Sequence, residues 1–276
     1  FLVIPTCPVP LLDQDILTKL SSSLTIPGLQ PHLRATLLSN SKPPSQPLLS
    51  SPHLNPKVWD TSTPSPATDH SPLIIPLKHG HPYPAQCQYP IPQQTLRGLK
   101  PVITCLLQHG LLVPTNSPYN SPILPIQKPD KSYRLVQDLR FINQIVLPIH
   151  PVMPNPYTLL SSIPPSTTHY SVIDLKDAFF TIPLHPSSQP LFTFTCTDSD
   201  THQSQQPTWT LLPQGFRNSP HYFSQALSHD LLSFHPSASH LIQYVDDLLC
   251  SPFYQSSQQD IILLLQHLYS KGYRIS

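Results

Sequence analysis

The sequence predicts an α+β fold, because strand-like and helix-like segments are interleaved along its second part. Apolar residues recur at helical spacing in residues 93–109, and helical patterns return near 219–234 and 256–272. Between them, residues 121–140 and 169–175 and the run "LIQYVDDLLC" at 241–250 carry the short apolar stretches that are typical of strands.

The composition sets few limits on function but argues against several classes. The 276 residues suffice for one large domain or two ordinary ones, and the formal net charge of +1 means that any nucleic-acid site must be a local groove. All 14 acidic residues are aspartate, and 38 prolines accompany only 6 glycines, a bias that we attribute to a skewed coding sequence. The five cysteines form no CxxC or CxxH pair, which argues against a disulfide scaffold or a zinc knuckle.

The first part of the chain predicts little structure of its own. Residues 1–26 combine a β-like apolar run with the short helical pattern "LLDQDILTKL". The apolar start "FLVIPTCPVPLL" is broken by three prolines and has no basic leader, so we expect neither a signal peptide nor a transmembrane segment. Residues 39–72 are rich in Ser, Pro, Asn and Thr and are typical of a linker.

The first strong helix is predicted over residues 93–109. Its apolar face is followed by Gly110, which stands where a helix ends, and Pro101 predicts a kink or a helix start inside the pattern. The next segment, "SPILPIQKPDKSYRLVQDLR" at 121–140, predicts two strands around a basic loop.

The remaining elements alternate. "HYSVIDL" (169–175) predicts a strand that ends in a charge, and "LFTFTC" and "TWTLL" predict two more strands, separated by a polar loop at 197–207. A helix is predicted to start with Ser219 as N-cap and Pro220 at the first helical position, and its apolar face comprises Phe223, Leu227, Leu231 and Phe234. "LIQYV" and "LLCSPF" predict a hairpin around two aspartates, and a last helix is predicted to end near Gly272.

The paired aspartates, Asp246 and Asp247, interrupt an apolar run. Adjacent strand residues point to opposite faces, so only a turn, predicted at Val245–Leu248, lets both carboxylates approach one point. Burying two unpaired like charges is unfavourable, and Mg²⁺ relieves it because that ion prefers carboxylate oxygens. Asp174, at the end of "SVID", is a candidate third ligand for a pair of ions that would stabilise phosphoryl transfer. On spacing alone, an acidic turn at the surface is the commoner explanation.

The sequence motifs around these aspartates resemble those of retroviral reverse transcriptases. "YVDD" (244–247) resembles their YxDD signature, and "LPIQKPDKSYRLVQDLRFIN", "SVIDLKDAFFTIPLHPSSQPLFTFT" and "TWTLLPQGFRNSPHYFSQAL" are similar to the family's other blocks, in the same order. The likeness is closest to gammaretroviruses and related endogenous retroviruses and covers residues 58–276. It implies the fingers and palm of a right-hand polymerase, with an antiparallel palm sheet and helices.

The first residues resemble a different retroviral protein. Residues 1–26 are similar to the C-terminal end of a gammaretroviral protease, although Asp13-Gln14 stands where that family usually has Gly-Arg. The resemblance therefore implies a Pol polyprotein segment with a protease remnant at 1–26, a Pro/Ser-rich linker at 27–57 and reverse transcriptase fingers and palm at 58–276. We expect the palm to be incomplete after "KGYRIS" and the thumb, connection and RNase H regions to be absent.

The resemblance also implies catalytic roles. Asp174, Asp246 and Asp247 would bind two Mg²⁺, with Mn²⁺ as an alternative ion, and the Leu175 carbonyl would be a further ligand. Tyr244 would lie near the primer end, although a core tyrosine is nearly as common an explanation.

Other residues of the resembling blocks would contact the nucleotide or the template. Lys128 and Arg134 match the fingers residues that contact the triphosphate, for which a Lys point charge and an Arg fork are suited, although a solvated loop would also explain them. The backbone amides of Asp177 and Ala178 would also meet the triphosphate. Phe179 matches the steric gate against ribose, unless it is a plain core aromatic.

Two further positions and one rejected motif complete the set. Gln214 would contact the nascent base pair or template, and Gly215 would allow the backbone to approach closely. "HGH" at 79–81 offers only two histidines in a Pro-rich loop and is better explained as solvated. Phe141 stands where relatives usually carry Glu.

Two functions follow from the sequence. The first is an RNA- and DNA-directed DNA polymerase, a nucleotidyltransferase whose partners would be an RNA or DNA template with its primer and a dNTP. The second is a non-catalytic endogenous retroviral relic that at most binds nucleic acid. In either case we expect no membrane partner and a cytoplasmic location, with virion association in an active parent.

Overall fold

The computed structural model describes residues 55–59, 70–81, 83–150, 155–163, 171–237, 239–252 and 258–275. Contacts divide the chain into Phe1–Ser51 and Pro52–Ser276, and all of the described residues belong to the second unit. The predicted protease-like segment 1–26 and nearly all of the predicted linker 27–57 lie outside the described residues.

The described residues form an α+β structure whose strand ladders are all antiparallel. The helices are α1 (Gln93–Gln108), α2 (Arg140–Ile145), α3 (Pro156–Ser161), α4 (Ser219–Leu231) and α5 (Gln258–Ser270), with 3₁₀ turns at Pro56–Trp59, Ala178–Thr181 and Gln189–Phe192. The strands are β1 (Leu112–Pro114), β2 (Ile123–Gln127), β3 (Tyr133–Gln137), β4 (Ser171–Asp174), β5 (Cys196–Thr197), β6 (Ser204–Gln205), β7 (Pro207–Trp209), β8 (Ser239–Tyr244) and β9 (Asp247–Pro252). The mixture of helices and antiparallel sheet confirms the predicted fold class.

The three-stranded sheet β4–β9–β8 is the element that positions the paired aspartates. β9 lies in the middle, with β4 on one side and β8 on the other. Ile173, Leu248 and Cys250 are buried and pack into the main core. Side chains alternate along a strand. Asp174, next to Ile173, and Asp247, next to Leu248, therefore project from the opposite face of the sheet.

Both long predicted helices end as their glycines indicate. After α1, Gly110 has φ +70°, its amide donates to the Leu107 carbonyl, and the Leu111 amide donates to the Leu106 carbonyl. After α5, Gly272 has φ +94° and the same pair of bonds closes the helix. This arrangement is a Schellman motif. It favours glycine because glycine has no Cβ, which the left-handed conformation would strain.

Three local predictions are wrong in detail. Of the two alternatives predicted at Pro101, a kink or a helix start, the helix start is wrong, because α1 begins at Gln93 and runs through Pro101. The segment "LFTFTC" is mostly not a strand: Gln189–Phe192 forms a 3₁₀ turn and only Cys196–Thr197 pairs as a strand. Between them the backbone makes isolated bonds instead of a ladder: the Phe194 amide donates to the Pro207 carbonyl of β7, and the Thr193 carbonyl accepts from the Gln137 side chain.

The N-cap of α4 is also displaced by one residue. Asn218 is the N-cap, and the Ser219 hydroxyl instead donates to the Pro213 carbonyl. The Asn218 carboxamide donates to the Leu147 carbonyl and accepts from the Ile149 amide, so it ties the helix start to a distant loop. Phe234 lies beyond the end of the helix at Leu231.

The hairpins follow the sequence more closely. β2 and β3 pair in register around the loop 128–132, and β8 and β9 form the predicted hairpin, which turns at Val245 and Asp246. The short elements β1 and α2 were not predicted. No helix in the described ranges combines the length and apolarity needed to cross a membrane.

Candidate functional site

The paired aspartates stand at a two-residue turn. Tyr244 and Asp247 face each other across the β8–β9 hairpin, and Val245 and Asp246 form the turn between them. Asp247 and Leu248, which the sequence placed in the turn, are instead the first residues of β9. The hairpin is therefore tighter than predicted, and only one of the two acids lies in the turn.

Val245 stores backbone strain at this turn. Its φ of +55° is a conformation that β-branched residues rarely adopt, with a typical cost of about 1–3 kcal/mol. The strain persists because apolar strands on both sides hold the hairpin closed.

Asp174 meets the hairpin from the neighbouring strand. It is the last residue of β4 and lies directly opposite Asp247 of β9 in the antiparallel register. Directly opposite residues share a face of the sheet, so these two carboxyl groups project on the same side. Asp246 follows from the turn beside them. The structure thus places Asp174 and Asp247 on one face of the sheet, at the end where the turn carries Asp246.

Three acids at one end of a sheet repel one another. Partial burial, followed by the charges of Asp246 and Asp174, raises the pKa of the Asp247 carboxyl above its ordinary value. Among the residues that the structure describes, no three His, Cys, Asp or Glu side chains are grouped closely enough to hold one metal ion. The donor chemistry nevertheless fits Mg²⁺, because clustered carboxylate oxygens are its preferred protein ligands and a divalent cation would relieve this repulsion.

The backbone after Asp174 is held on two sides. The Leu175 amide donates to the Asp246 carbonyl at 3.4 Å, and the Lys176 amide donates to the Arg274 carbonyl at 2.8 Å. Leu175 also forms an antiparallel bridge with Ile275, and its side chain is buried. Segment 174–176 is therefore locked between the aspartate turn and the residues that follow α5.

The next residues make a sharp bend that leaves amides available. Asp177 is left-handed, with φ 50° and ψ 37°, and caps the 3₁₀ turn Ala178–Thr181. The amides of Phe180 and Ile182 donate to backbone carbonyls, whereas those of Asp177 and Ala178 make no such bond within the described residues. The bend thus presents two adjacent N–H groups close to the aspartates in sequence.

The two aromatic residues of this turn are used differently. Phe179 is half-buried and meets Phe223 edge to face, with ring centroids 5.9 Å apart. Phe180 stacks on Trp209 with its centroid at 5.0 Å. Phe179 is therefore neither a fully buried core residue nor a free surface ring, and Tyr244 is 37% exposed and not a core tyrosine.

The predicted triphosphate cations lie on the β2–β3 hairpin. Lys128 is exposed in its loop, where its amide and carbonyl hold the turn together through Ser132 and Lys131. Arg134 is exposed on β3, and its guanidinium donates to the Gln214 side-chain oxygen. The structure therefore brings Arg134 and Gln214 together, while Lys128 stands apart at the loop.

A cavity of about 170 Å³ lies beside the Arg134–Gln214 contact. Its walls are formed by Arg134–Gln137, Phe180, Trp209 and Pro213–Gly215. Gly215 has φ +89°, and a Cβ there would sit 3.7 Å from the Gln137 carbonyl, so its backbone conformation rather than space requires glycine.

Two supporting residues were missed by the sequence analysis. The buried Gln137 side chain donates to the Phe192 and Thr193 carbonyls and accepts from the Trp209 indole N–H. Asn143 donates to the Gly215 carbonyl and accepts from the Arg217 amide. The sequence shows only a polar residue at each of these positions. It does not show which distant group will form the hydrogen bond.

The other sequence candidates remain apart from this site. His79 and His81 of the "HGH" motif are exposed, as expected for a solvated loop. Phe141 is 42% exposed on α2.

Comparison with known proteins gives a consistent assignment. A family model described as reverse transcriptase (RNA-dependent DNA polymerase) matches residues 126–276. Gag-Pol polyproteins of woolly monkey sarcoma virus and gibbon ape leukemia virus are each 44% identical over the whole of this chain, and that of koala retrovirus is 43% identical. The chain spans 18% of the length of each of these relatives.

Solved structures show the same relationship. A crystal structure of the prototype foamy virus protease-reverse transcriptase is 30% identical, with a TM-score of 0.64 over 79% of this chain and 28% of that chain. The foamy viral protease-reverse transcriptase in complex with an RNA/DNA hybrid is 29% identical, with a TM-score of 0.66 and the same coverage. A shorter form in complex with double-stranded DNA matches 79% of this chain and 36% of its own, with a TM-score of 0.66.

Proposed function

This chain belongs to the reverse transcriptase family, whose function is RNA-directed DNA synthesis, and we propose that it carries the nucleotidyl-transfer site of such a polymerase. In this proposal, the chain adds a dNTP to the 3′-hydroxyl of a primer paired with an RNA or DNA template. The observation that carries it is the placement of Asp174 directly opposite Asp247, with Asp246 in the adjoining turn.

The three aspartates would hold two Mg²⁺, with Mn²⁺ as an alternative, and the Leu175 carbonyl would be a further ligand. When bound, such ions lower the pKa of the attacking hydroxyl and stabilise the charge on the leaving group. Burial first, and then the charges of Asp246 and Asp174, raise the pKa of Asp247, and a bound cation would offset both effects by stabilising the ionised carboxylate. The fixed backbone of residues 174–176 would keep the acids in place through the reaction.

The chain's own groups would bind and select the nucleotide. The amides of Asp177 and Ala178 would donate to the triphosphate, and Lys128 and Arg134 would neutralise it from the β2–β3 hairpin. Phe179 would lie beneath the sugar and exclude a ribose 2′-hydroxyl. Its contact with Phe223 supports this role, because a gate must be held by a neighbour that does not move.

Template and primer would lie along the exposed face of the sheet. Gln214 would contact the nascent base pair or the template, Gly215 would allow close approach, and Tyr244 would lie near the primer end. The complexes of the foamy viral relative with double-stranded DNA and with an RNA/DNA hybrid support nucleic acid as the partner.

The wider organisation is also part of the proposal. Residues 58–276 would form polymerase fingers and palm, after a protease-derived segment at 1–26 and a linker at 27–57, within a larger Pol polyprotein. Such a protein would act in the cytoplasm and in virions.

A second candidate is a non-catalytic fragment that at most binds nucleic acid. One observation favours it: in the described ranges, no three acidic, His or Cys side chains already form a ligand set for one ion.

A template–primer extension assay with Mg²⁺ separates the two candidates. Asp246→Asn should lower incorporation at least about a hundredfold, since a lost metal ligand removes several kcal/mol of transition-state stabilisation. Asp200→Asn, which changes an exposed aspartate paired with Lys100, is the matched control and should leave incorporation unchanged. Equal incorporation by wild type and Asp246→Asn would refute the catalytic proposal.

A further inference from the structure

A buried carboxylate, Asp230 on α4, lies outside the proposed site. It is 3% exposed, and its Oδ2 accepts hydrogen bonds from the Tyr273 hydroxyl at 2.7 Å and from His70 Nε2 at 2.9 Å. His267 of α5 donates to its backbone carbonyl at 2.9 Å. No Lys or Arg pairs with it in the described part of the chain, so these neutral donors and the histidines provide its stabilisation.

Tyr273 is the structural partner of this carboxylate. Its side chain is fully buried directly after the helix-ending Gly272. Burial, together with the hydrogen bond to Asp230, raises the pKa of the Tyr273 hydroxyl, so the group stays protonated and donates. The bond fixes both the ring and the backbone of Tyr273.

The ring of Tyr273 leads to the proposed steric gate. It meets Phe223 edge to face with centroids 6.2 Å apart, and Phe223 meets Phe179 in the same way at 5.9 Å. The three rings form a continuous packed row from Asp230 to the nucleotide side of the site. In a close-packed interior, a shift of the first ring must be accommodated by the next.

The backbone that follows Tyr273 leads to the aspartates. The Arg274 carbonyl accepts from the Lys176 amide, and Ile275 forms the bridge with Leu175, whose amide donates to the Asp246 carbonyl. On its other side, Ile275 donates to the Val58 carbonyl at 3.0 Å. Segment 273–275 is thus an extended stretch tied by one hydrogen bond and one isolated bridge to Leu175 and Lys176, the residues that follow Asp174.

We infer that Asp230, through its hydrogen bond to Tyr273, is a positioning residue for the polymerase site. It sets the position of Phe179 through the ring of Phe223 and the position of the Asp174–Lys176 backbone through residues 274 and 275. Asp230 touches neither nucleotide nor metal; it acts on the geometry of the groups that do. This role rests on the proposed function, but the structural coupling between Asp230 and the site is tested without polymerase activity.

Amide hydrogen exchange of the whole chain, followed residue by residue by NMR, tests the coupling without any need for activity. Tyr273→Phe removes one hydroxyl and keeps the ring against Phe223. We expect exchange of the Lys176 amide to become about tenfold faster, the change that corresponds to one lost hydrogen bond to a charged group, while the β2–β3 amides remain unchanged. Unchanged exchange at Lys176, or equal acceleration throughout the protein, would overturn the inference.

Three further variants separate positioning from general stability. Tyr119→Phe removes the hydroxyl of another buried tyrosine, one that packs on Tyr83, and should leave Lys176 exchange as in wild type. Asp230→Leu removes the acceptor of the Tyr273 hydroxyl and should accelerate Lys176 exchange as Tyr273→Phe does. Asp230→Asn keeps an oxygen that accepts from Tyr273 and an amide that pairs with His70, and should retain most of the wild-type protection. If Asp230→Asn matched Asp230→Leu, the hydrogen bond would not be the coupling element.

Nucleotide selection provides the second readout. In template–primer extension, the preference for a dNTP over the matching rNTP should fall about tenfold in Tyr273→Phe and remain unchanged in Tyr119→Phe. A preserved preference would overturn the link to Phe179. A wild-type chain that incorporates no nucleotide would contradict the proposed function, and the exchange result would then decide the positioning role alone.

Discussion

Gln137 makes three hydrogen bonds inside the protein, and replacing it with methionine should destabilise the fold more than any exposed change. Methionine has a similar length but leaves the Trp209 N–H and the Phe192 carbonyl without their partner, while Thr193 keeps its bond from the Ser121 amide. Each orphaned buried group costs about 1–3 kcal/mol, and the added apolar side chain returns about 1–2 kcal/mol. Central values of about 2 kcal/mol for each of the two groups, less about 1.5 kcal/mol, give an expected net loss of about 2–3 kcal/mol in the free energy of unfolding.

Urea unfolding followed by circular dichroism measures this loss. With a slope of about 2 kcal/mol per molar urea, the midpoint of Gln137→Met should fall by about 1–1.5 M at unchanged slope. Gln127→Met, an exposed position in the same hairpin, is the matched control and should shift the midpoint by less than about 0.25 M. A Gln137→Met midpoint within that same small range would refute the reasoning that the buried network is a stabilising one.

Three smaller predictions follow from the same structure. A Cβ on Gly98 would overlap the Tyr133 ring, so Gly98→Ala should lower the thermal midpoint by several degrees, whereas in a Tyr133→Ala background it should raise the midpoint through helix propensity. Gly215→Ala, at φ +89°, should cost about 1–3 kcal/mol of backbone strain, and an unchanged thermal midpoint would show that the loop relaxes instead. Arg140 lowers the pKa of the buried Asp138 carboxyl. The pair therefore stabilises the fold at pH values above the carboxyl's unfolded-state pKa of about 3.9, and this contribution is lost as the pH falls through the lower folded-state pKa. Urea midpoints of Arg140→Ala should differ from wild type at pH 6 and converge with it at low pH.

Much of the fold could be predicted because its signals are local. The ends of α1 and α5 were marked by Gly110 and Gly272, and both glycines adopt the left-handed conformation that a helix ending needs. The β8–β9 hairpin was marked by apolar runs on either side of the aspartates. Where contacts distant in sequence decide the structure, the prediction was wrong. "LFTFTC" has the alternation of a strand, yet it is buried among aromatic side chains and only its last residue, Cys196, belongs to a strand ladder.

The candidate site divides in the same way. Spacing made Asp174, Asp246 and Asp247 candidates, and the resemblance to reverse transcriptases predicted that they belong to one site; the structure places Asp174 opposite Asp247. The sequence did not reveal the strained Val245, because a φ of +55° on valine contradicts its own preference and exists only when the surroundings impose it. Gln137 and Asp230 were equally hidden, since the partner that satisfies a buried polar group is distant in sequence.

The sequence by itself determined the two long helices that end at Gly110 and Gly272, the turn that carries Asp246, and the membership of this chain in the reverse transcriptase family. These depend on residues close together along the chain or on several long sequence blocks in the family's order. Only the tertiary structure decided that Asp247 begins a strand rather than completing the turn, that Phe179 packs against Phe223, and that Asp230 accepts a hydrogen bond from Tyr273. The reason is physical: burial and hydrogen bonding are satisfied across the folded chain, and a sequence lists the groups that need partners without saying which partners they will meet.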